Sequence, residues 1–245
     1  MQSNQIRWLS SAVLLLNNVR YDTGETAQEY HNAVGDWYQV PHISIKETLY
    51  RKMQEGIYTR EKLTPDGLHP NDKGHELVAA EIISFLEQVK EKKEEVEVES
   101  ILPVPLTANS YENAKRLTIR EISPELLGFR ADAREKTGHL DFFKNGWIGK
   151  WPGDKIIFKT EASCIAVQYR KTVKQPACRA KLTLDGDMEN VRILDGNFEE
   201  NWGDCLYLEP VLHHGENKMH TVEIEIINDE TEDATPFYLL SLITE

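Results

Sequence analysis

An aspartate and a histidine three residues apart, Asp66 and His69, are the side chains in this sequence best suited to acid-base chemistry. They lie in residues 64–70, Thr-Pro-Asp-Gly-Leu-His-Pro. The two prolines fix their own φ angles and disfavour helical geometry at the preceding residue, so we expect a rigid loop that holds both side chains together. A carboxylate beside an imidazole fixes its tautomer and stabilises the imidazolium formed when the ring takes a serine proton. The spacing predicts His69 as a general base and Asp66 as its orienting partner.

A long amphipathic helix is predicted immediately after this loop. Asn71 or Asp72 can cap its N-terminus. Apolar residues then recur at helical spacing, at Leu77, Val78, Ile82, Ile83, Phe85, Leu86 and Val89. His75 and Glu76 are interpreted as cap and surface residues of this helix rather than metal ligands. The loop is therefore expected to be anchored to a buried helix.

The elements before the loop alternate between strand and helix. Residues 12–17 form a continuous apolar run that is typical of a buried parallel strand. A capping-box pattern at residues 26–29 predicts a helix that runs to about Tyr38 and carries Tyr30, Val34 and Trp37 on one face. Residues 40–45 are predicted to be the next strand, and residues 45–53 a short helix. This order is that of half a doubly wound α/β sheet.

These residues resemble a known family. The run from Asp66 to His75 resembles the last conserved block of the SGNH hydrolases, also called GDSL esterases and lipases, in which Asp-x-x-His supplies two triad members and a helix follows. Residues 12–18 resemble the strand that precedes this block. The resemblance covers about residues 6 to 90. It implies a flavodoxin-like α/β domain, a serine nucleophile and hydrolysis of small acyl esters, including acetyl groups on carbohydrate, without a cofactor or a metal.

The other three conserved blocks of the family, which supply the serine, a glycine and an asparagine, are not found. Only eleven residues precede Ala12. Asn17 and Asn18 lie at a strand end, but the family's asparagine block lies earlier and follows a glycine, so they are poor candidates for oxyanion donors. We therefore expect a C-terminal piece of a longer protein, or a degenerate copy. The uncovered sheet edge of such a half domain favours self-association.

One short stretch imitates the missing serine block. Residues 203–206 spell it with Cys205 in place of serine, and a cysteine can be a nucleophile. The stretch lies far on the C-terminal side of His69, inside β-type sequence, which favours a chance match. Cys164 and Cys178 are able to face each other across a hairpin, but free buried thiols are the simpler interpretation.

A charge run at residues 90–100 is typical of a solvated helix end or linker, and it divides the chain into residues 1–98 and 99–245. The second part is predicted to be an all-β antiparallel sandwich of the jelly-roll kind, with turns at Asp185-Gly186 and Asp195-Gly196. It resembles the β-sandwich modules that accompany carbohydrate esterases. Its predicted strands are residues 156–158, 165–170, 180–184, 191–194, 205–208, 221–227 and 237–242.

Aromatic side chains of the second part are candidates for stacking on sugar rings. They are Trp147, Trp151, Trp202 and Tyr207. The alternative is that they close the ends of the sandwich core. Histidines 213, 214 and 220 have no acidic partner at a firm spacing, so a turn is a better interpretation of them than a metal site.

Composition restricts the partners. The 245 residues carry a net charge of −13 and no basic patch with interleaved aromatics, so nucleic acid and anionic membrane surfaces are not expected partners. The longest apolar run is too short to span a bilayer. No signal peptide is visible, and a soluble protein compatible with the cytoplasm is expected.

Three functions remain from the sequence. The first is part of a serine esterase that acts on small acyl esters or acetylated carbohydrate, with His69 as base and Asp66 as orienter. The second is a carbohydrate-binding sandwich beside an inert hydrolase remnant. The third is a structural role, in which the sandwich closes one side of the hydrolase cleft.

Overall fold

The computed structural model describes residues 12–92, 103–107, 111–138, 141–227 and 233–245. The chain divides into two compact units, Met1–Ala108 and Asn109–Glu245. The boundary predicted between residues 98 and 99 lies outside the described residues, and so does the part of the charge run after residue 92. Within the described residues, no helix has both the length and the apolar character needed to cross a membrane.

The first unit is built around a small parallel sheet. Strand β1 (Leu15–Asn17) leads into helix α1 (Gln28–Trp37), which returns to strand β2 (His42–Ser44), and the two strands pair in parallel. A π-helical stretch (Lys46–Tyr50) runs into α2 (Arg51–Gln54), and α3 (Arg60–Leu63) and α4 (Asp72–Lys92) follow. Both strands were predicted in the right places, but each is only three residues long.

The core of this unit is formed by residues at and after the ends of the two strands and by the helices that follow. Ile45, Leu49 and Leu63 are fully buried there, and α4 contributes Val78. Leu77, Ile82 and Phe85 of α4 pack against the same cluster while partly exposed. The helical periodicity read from the sequence is confirmed in part, because Ile83, Leu86 and Val89 of the same predicted face are exposed.

Helix α1 departs from the prediction in two ways. The expected capping box does not form, because Ala27 is the N-cap residue and no side chain caps the helix. The Thr26 hydroxyl instead donates to the Asn18 carbonyl and accepts from the Gln28 N–H. The apolar face of Tyr30, Val34 and Trp37, hereafter the α1 stripe, is largely exposed.

Helix α4 starts where it does because a glycine allows α3 to come close. A Cβ at Gly74 would lie 2.2 Å from the Leu63 carbonyl oxygen, a distance that side-chain carbons do not tolerate. The first turn of α4 therefore packs directly on the backbone that ends α3.

The second unit is an antiparallel β-sandwich, as the sequence predicted. One sheet has the strand order β10-β9-β12-β7-β4, and the other has the order β11-β8-β13-β6-β5 with β3 also paired to β13. The strand bounds are β3 Lys115–Leu117, β4 Glu125–Leu127, β5 Arg130–Ala131, β6 Trp147–Gly149, β7 Lys155–Ala162, β8 Ile165–Lys171, β9 Arg179–Leu184, β10 Arg192–Asp195, β11 Cys205–Leu212, β12 Lys218–Ile226 and β13 Phe237–Thr244.

Side chains of alternate residues on both sheets meet in one core. β7 contributes Ile156 and Phe158, β12 contributes Val222 and Ile224, and β8 contributes Val167, together with other buried residues of the same cluster. This alternation is what made the seven longer strands visible in the sequence. The four strands β3 to β6 were missed, since each has only two or three residues.

The two Asp-Gly pairs have different roles. Asp185 and Gly186 both have positive φ, at 53° and 74°, which is the backbone of the tight turn predicted there. Asp195 ends β10, and the chain then crosses to the other sheet, where β11 begins. The prediction of a second hairpin turn at Asp195-Gly196 was wrong.

Replacing Gly74 by alanine is expected to lower the free energy of unfolding of the first unit by about 1–3 kcal/mol, because the new methyl group must push α4 away from the Leu63 carbonyl. Urea unfolding followed by far-UV circular dichroism measures the change. Gly138→Ala is the control, since a Cβ there meets no atom within 4 Å. Equal stability of the two variants would contradict the close packing described here.

Candidate active site

The Asp66 and His69 side chains meet as the sequence predicted. The Nδ1 atom of His69 lies 2.7 Å from Oδ2 of Asp66. The other carboxylate oxygen, Oδ1, accepts backbone N–H groups from Leu68 at 2.9 Å and from His69 at 2.8 Å. The His69 hydrogen bond, followed by these two backbone donors, holds the pKa of Asp66 well below its usual range. The carboxylate is therefore charged and orients Nδ1–H toward itself.

This arrangement leaves the second ring nitrogen of His69 available. Three quarters of the side chain is exposed, and Nε2 forms no hydrogen bond with any described residue. With the Nδ1 proton held by Asp66, the neutral ring carries its basic lone pair on Nε2. An imidazole held in this way can accept a proton at Nε2.

The Thr64 side chain holds the backbone of the loop through hydrogen bonds. Its hydroxyl oxygen is buried and accepts the backbone N–H of Gly67 at 3.0 Å and that of Asp66 at 3.3 Å. Thr64 follows directly after α3, and its own N–H donates to the Arg60 carbonyl. One side chain thus ties the turn that carries Asp66 to the end of a helix.

Gly67 connects the same loop to the segment after β1. Its carbonyl accepts the Tyr21 N–H at 2.6 Å, and its φ of +84° is one that residues with side chains rarely adopt. A Cβ at this position would lie 2.9 Å from side-chain atoms of Asp22. Asp22 in turn pairs with Arg20 at 2.9 Å. The segment after β1 and the Asp66 loop are therefore packed against each other.

Asn71 fixes the other end of the loop. Its side-chain oxygen accepts the Gly74 N–H at 2.9 Å and so caps α4, which confirms one of the two caps proposed from the sequence. Its backbone N–H donates to the Leu63 carbonyl and its side-chain amide to the Glu61 carbonyl. Both ends of the Asp66 loop are thus fastened to α3. His75 and Glu76 lie exposed on the first turns of α4, and Glu76 pairs with Lys73.

No serine accompanies His69 among the described residues of the first unit. Ser44 and Ser84 are the serines there, and each has its hydroxyl engaged elsewhere, with Gln28 and Gln88 respectively. Asn17 is buried, and its side chain bonds to Asn32 and His31 of α1, so its amide joins β1 to α1. Asn17 is therefore used inside the fold.

The cysteines and histidines of the second unit show no catalytic arrangement. All three cysteines are free, and Cys205 begins the edge strand β11 with its sulfur near the Leu206 carbonyl. His213 contacts Tyr111 through its ring, and His220 bonds to Asp185 at 2.8 Å. Within the described ranges, no group of three or more histidine, cysteine or acidic side chains is placed to hold a metal ion.

The aromatic candidates separate into two groups. Trp147 is fully buried in β6 against Phe158, which fits the alternative that these aromatics close the sandwich core and excludes Trp147 as an exposed sugar contact. Trp151, Trp202 and Tyr207 are exposed, and Trp202 is the most open of them at 66%. It stands edge-on to Phe198 with ring centroids 5.0 Å apart.

Sequence reasoning missed the residues that hold the Asp66 loop from a distance. Thr64, Gly67 and Gly74 act through contacts with α3 and with the segment after β1. Only Gly67, which lies between the two prolines, signalled an unusual backbone. The residues that contact Gly67 and Gly74 lie in other elements, and the local sequence does not identify them.

Replacing Thr64 by valine keeps the side-chain volume but removes the acceptor of two buried N–H groups. We expect a loss of about 1–3 kcal/mol in unfolding free energy and faster amide exchange at Gly67 and Leu68. Urea unfolding and hydrogen-deuterium exchange measure the two effects. Thr59→Val is the matched control, because the Thr59 side chain caps nothing. Unchanged exchange at both amides would rule out this role of Thr64.

Comparison with solved structures gives two extensive matches, both to a two-domain esterase, CEX, that is active on acetylated mannans. In the crystal form with mannopentaose, the match has 43% sequence identity and a TM-score of 0.86, and it covers 95% of this chain and 62% of that one. In the second crystal structure the match has 42% sequence identity and a TM-score of 0.88. It covers 95% of this chain and 63% of that one. This chain thus spans less than two thirds of the length of that esterase.

Neither the family models nor the curated proteins include a match to this chain. The structural likeness nevertheless extends over both units, because 95% of the chain is covered. This chain is similar in fold, over nearly its whole length, to part of a two-domain carbohydrate esterase.

Proposed function

We propose that the first unit carries the general base and orienting carboxylate of a serine esterase of the SGNH type, which acts on small acyl esters of carbohydrate such as acetylated mannan. The observation that carries this proposal is the His69 imidazole, held by Asp66 at Nδ1 and open at Nε2. The likeness to an esterase active on acetylated mannans supports the substrate class. The nucleophilic serine is proposed to come from outside these 245 residues.

His69 and Asp66 account for the proton transfers of the proposed reaction. Nε2 of His69 takes the proton of the serine hydroxyl as the serine oxygen bonds to the ester carbonyl carbon. The imidazolium then gives this proton to the departing sugar oxygen, and an acyl-enzyme remains. Nε2 next takes a proton from water, whose oxygen displaces the serine oxygen from the acyl carbon, and returns it to the serine as the acid leaves. Asp66 stabilises the imidazolium in both steps.

The architecture of the first unit supports this proposal. β1 and β2 are parallel strands joined by a helical crossover, the unit from which doubly wound sheets are built. Ligands of such sheets bind beyond the carboxyl ends of the strands, and the segment after β1 is the one that contacts Gly67 of the Asp66 loop. We propose that this unit is part of a flavodoxin-like sheet.

His69→Ala is expected to lower kcat/KM for acetylated mannan by about 10²–10⁴-fold in the chain extended by an N-terminal serine-bearing segment, because general-base catalysis contributes that much. Asp66→Asn should reduce activity in the same direction. His75→Ala is the control, since this exposed histidine lies near the site but outside it. Equal activity of the His69 and His75 variants would refute the proposed base.

The 245-residue chain by itself tests the origin of the nucleophile. We expect no serine in it to react with a fluorophosphonate probe, since the described serines of the first unit are engaged elsewhere. Mass-spectrometric mapping of a labelled serine, with loss of labelling in His69→Ala, would show that the nucleophile lies within the chain.

Carbohydrate binding by the sandwich is a second candidate function, favoured by the exposure of Trp202 and Trp151. An indole face open to solvent can stack on a pyranose ring, and Phe198 holds Trp202 edge-on. Trp202→Ala is expected to cost about 0.5–1.5 kcal/mol of binding free energy for mannan, measured by affinity electrophoresis. Met188→Ala, which removes an equally exposed side chain, is the control. Identical migration of both variants would exclude a role for Trp202.

A further inference from the structure

A cleft of about 360 Å³ opens on the second unit, and its lining residues do not include the exposed Trp151 or Trp202. Two arginines and two lysines line it, together with Thr118, Glu135 and Asn145. Such a concentration of cations is unusual on a chain with a net charge of −13.

Arg116 is oriented by a buried relay. Its Nε donates to the Ser241 hydroxyl oxygen at 3.2 Å, and Ser241, which is fully buried, donates its own proton to Oε1 of Gln168 at 2.8 Å. The hydroxyl is thus committed to accepting from Arg116. The two terminal nitrogens of the guanidinium have no partner among the described residues. The planar end of the exposed Arg116 side chain is therefore positioned and open to water or a ligand.

Asn145 is a second polar residue of the lining. The residue is only 5% exposed, and its φ of +63° is fixed by backbone hydrogen bonds, including one from its N–H to the Asp132 carbonyl at 3.0 Å. Its side-chain amide forms no hydrogen bond within the described part of the chain, and its atoms remain accessible to solvent. Water or a ligand in the cleft can therefore meet this amide.

The remaining charges leave a positive surplus. Lys144 is neutralised by Asp141 at 2.6 Å, and it also donates to the Glu135 carbonyl. Arg120 and Lys136 form no ion pair with any described residue. The Glu135 carboxylate, the single acidic group of the lining, does not balance the three cations that remain.

The rim next to Asn145 is rigid. The buried carboxylate of Asp132 accepts two hydrogen bonds from the Arg134 side chain, both at 2.7 Å, one from the Arg134 backbone N–H at 3.3 Å and one from the Tyr238 hydroxyl at 2.9 Å. Arg134, and then Tyr238, lower the pKa of Asp132 to about 2, so this network stays intact above that pH. The backbone that carries Asn145 is anchored on this network through the Asp132 carbonyl and N–H.

We infer that this cleft binds a sugar that carries an oxyanion, either a carboxylate or a phosphate. The forked guanidinium of Arg116 matches the two oxygens of such a group, and Arg120 and Lys136 add long-range attraction. The Asn145 amide both donates and accepts, as recognition of a neighbouring sugar hydroxyl requires. No aromatic ring of the described residues lines the cleft, so the proposed recognition does not rest on ring stacking. Its volume, at the small end for ligand sites, fits a short ligand.

This site is independent of the proposed esterase function, which rests on Asp66 and His69 in the other unit. Titration calorimetry on the 245-residue chain at low salt tests it with four probes: glucuronate, glucose 6-phosphate, glucose and inorganic phosphate. We expect at least one anionic sugar to bind more than about tenfold more tightly than glucose and inorganic phosphate, a difference of about 1.4 kcal/mol. The affinity should fall as salt is added.

Two substitutions separate the site from the fold. Arg116→Gln and Asn145→Gly should each raise the Kd of the anionic sugar more than about tenfold, and glycine accepts the positive φ at position 145. Arg192→Gln, at an exposed arginine of β10 outside the cleft, should leave the Kd unchanged. Thermal unfolding confirms that each variant is folded.

The remaining outcomes overturn the inference. Glucose binding as tightly as both anionic sugars would show a neutral-sugar site, and inorganic phosphate binding as tightly as they do would show a bare anion site. Absence of saturable binding by either anionic sugar, or full affinity in both cleft variants, would also refute it. A His69→Ala chain should bind as the original does, so failure of the esterase proposal leaves this test intact.

Discussion

The Asp66 carboxylate accepts four hydrogen bonds, one from the His69 ring, one from the Thr64 hydroxyl at 3.3 Å and two from the backbone N–H groups of Leu68 and His69. These bonds close the turn and orient the imidazole with the same two oxygens, so loop geometry and base orientation are set together. The turn is held at its N-terminal end by the buried Thr64 hydroxyl and at its C-terminal end by Asn71. The pair is exposed to water, yet its position is determined by a framework that reaches α3 and the segment after β1.

Local features of this framework were readable in the sequence. The Asp66–His69 pair and the Asn71 cap depend on neighbours within a few residues, and the structure contains both. The predicted apolar face of α4 is present in part, because Ile83, Leu86 and Val89 do not reach the core. The support from Thr64, Gly67 and Gly74 was not predicted in that way. Its partners lie in other elements, and Gly74 is explained only by the Leu63 carbonyl beside it. The capping box at residues 26–29 failed because the Thr26 hydroxyl found a tertiary acceptor, the Asn18 carbonyl.

The sandwich shows the same division. Alternating or β-branched sequence revealed the seven longer strands. Burial alternates clearly in β7 and β12, whereas most of β13 is buried and no residue of β11 is. β3 to β6 are too short for alternation to be recognised, and Trp147 lies in one of them, so the sequence left its burial and its exposure as alternatives. The cleft lined by Arg116 and Asn145 also had no signature, since its residues are spread over some thirty positions and meet through β3 and the segment before β6. The net charge of an acidic chain does not reveal a local cluster of basic side chains.

The α1 stripe has a consequence for the thermodynamics of the first unit. Tyr30, Val34 and Trp37 are already in contact with water in the folded chain, and so are Ile83, Leu86 and Val89 of α4. Most of the Tyr30 surface and about half of that of the other five side chains is already exposed in the folded chain, so unfolding hydrates less new apolar surface than it would for a fully buried face. The heat-capacity increment of this unit should therefore fall below the usual value of about 12–15 cal/mol/K per residue. Its stability then varies less steeply with temperature than that of the sandwich, whose apolar side chains are concentrated in a closed core.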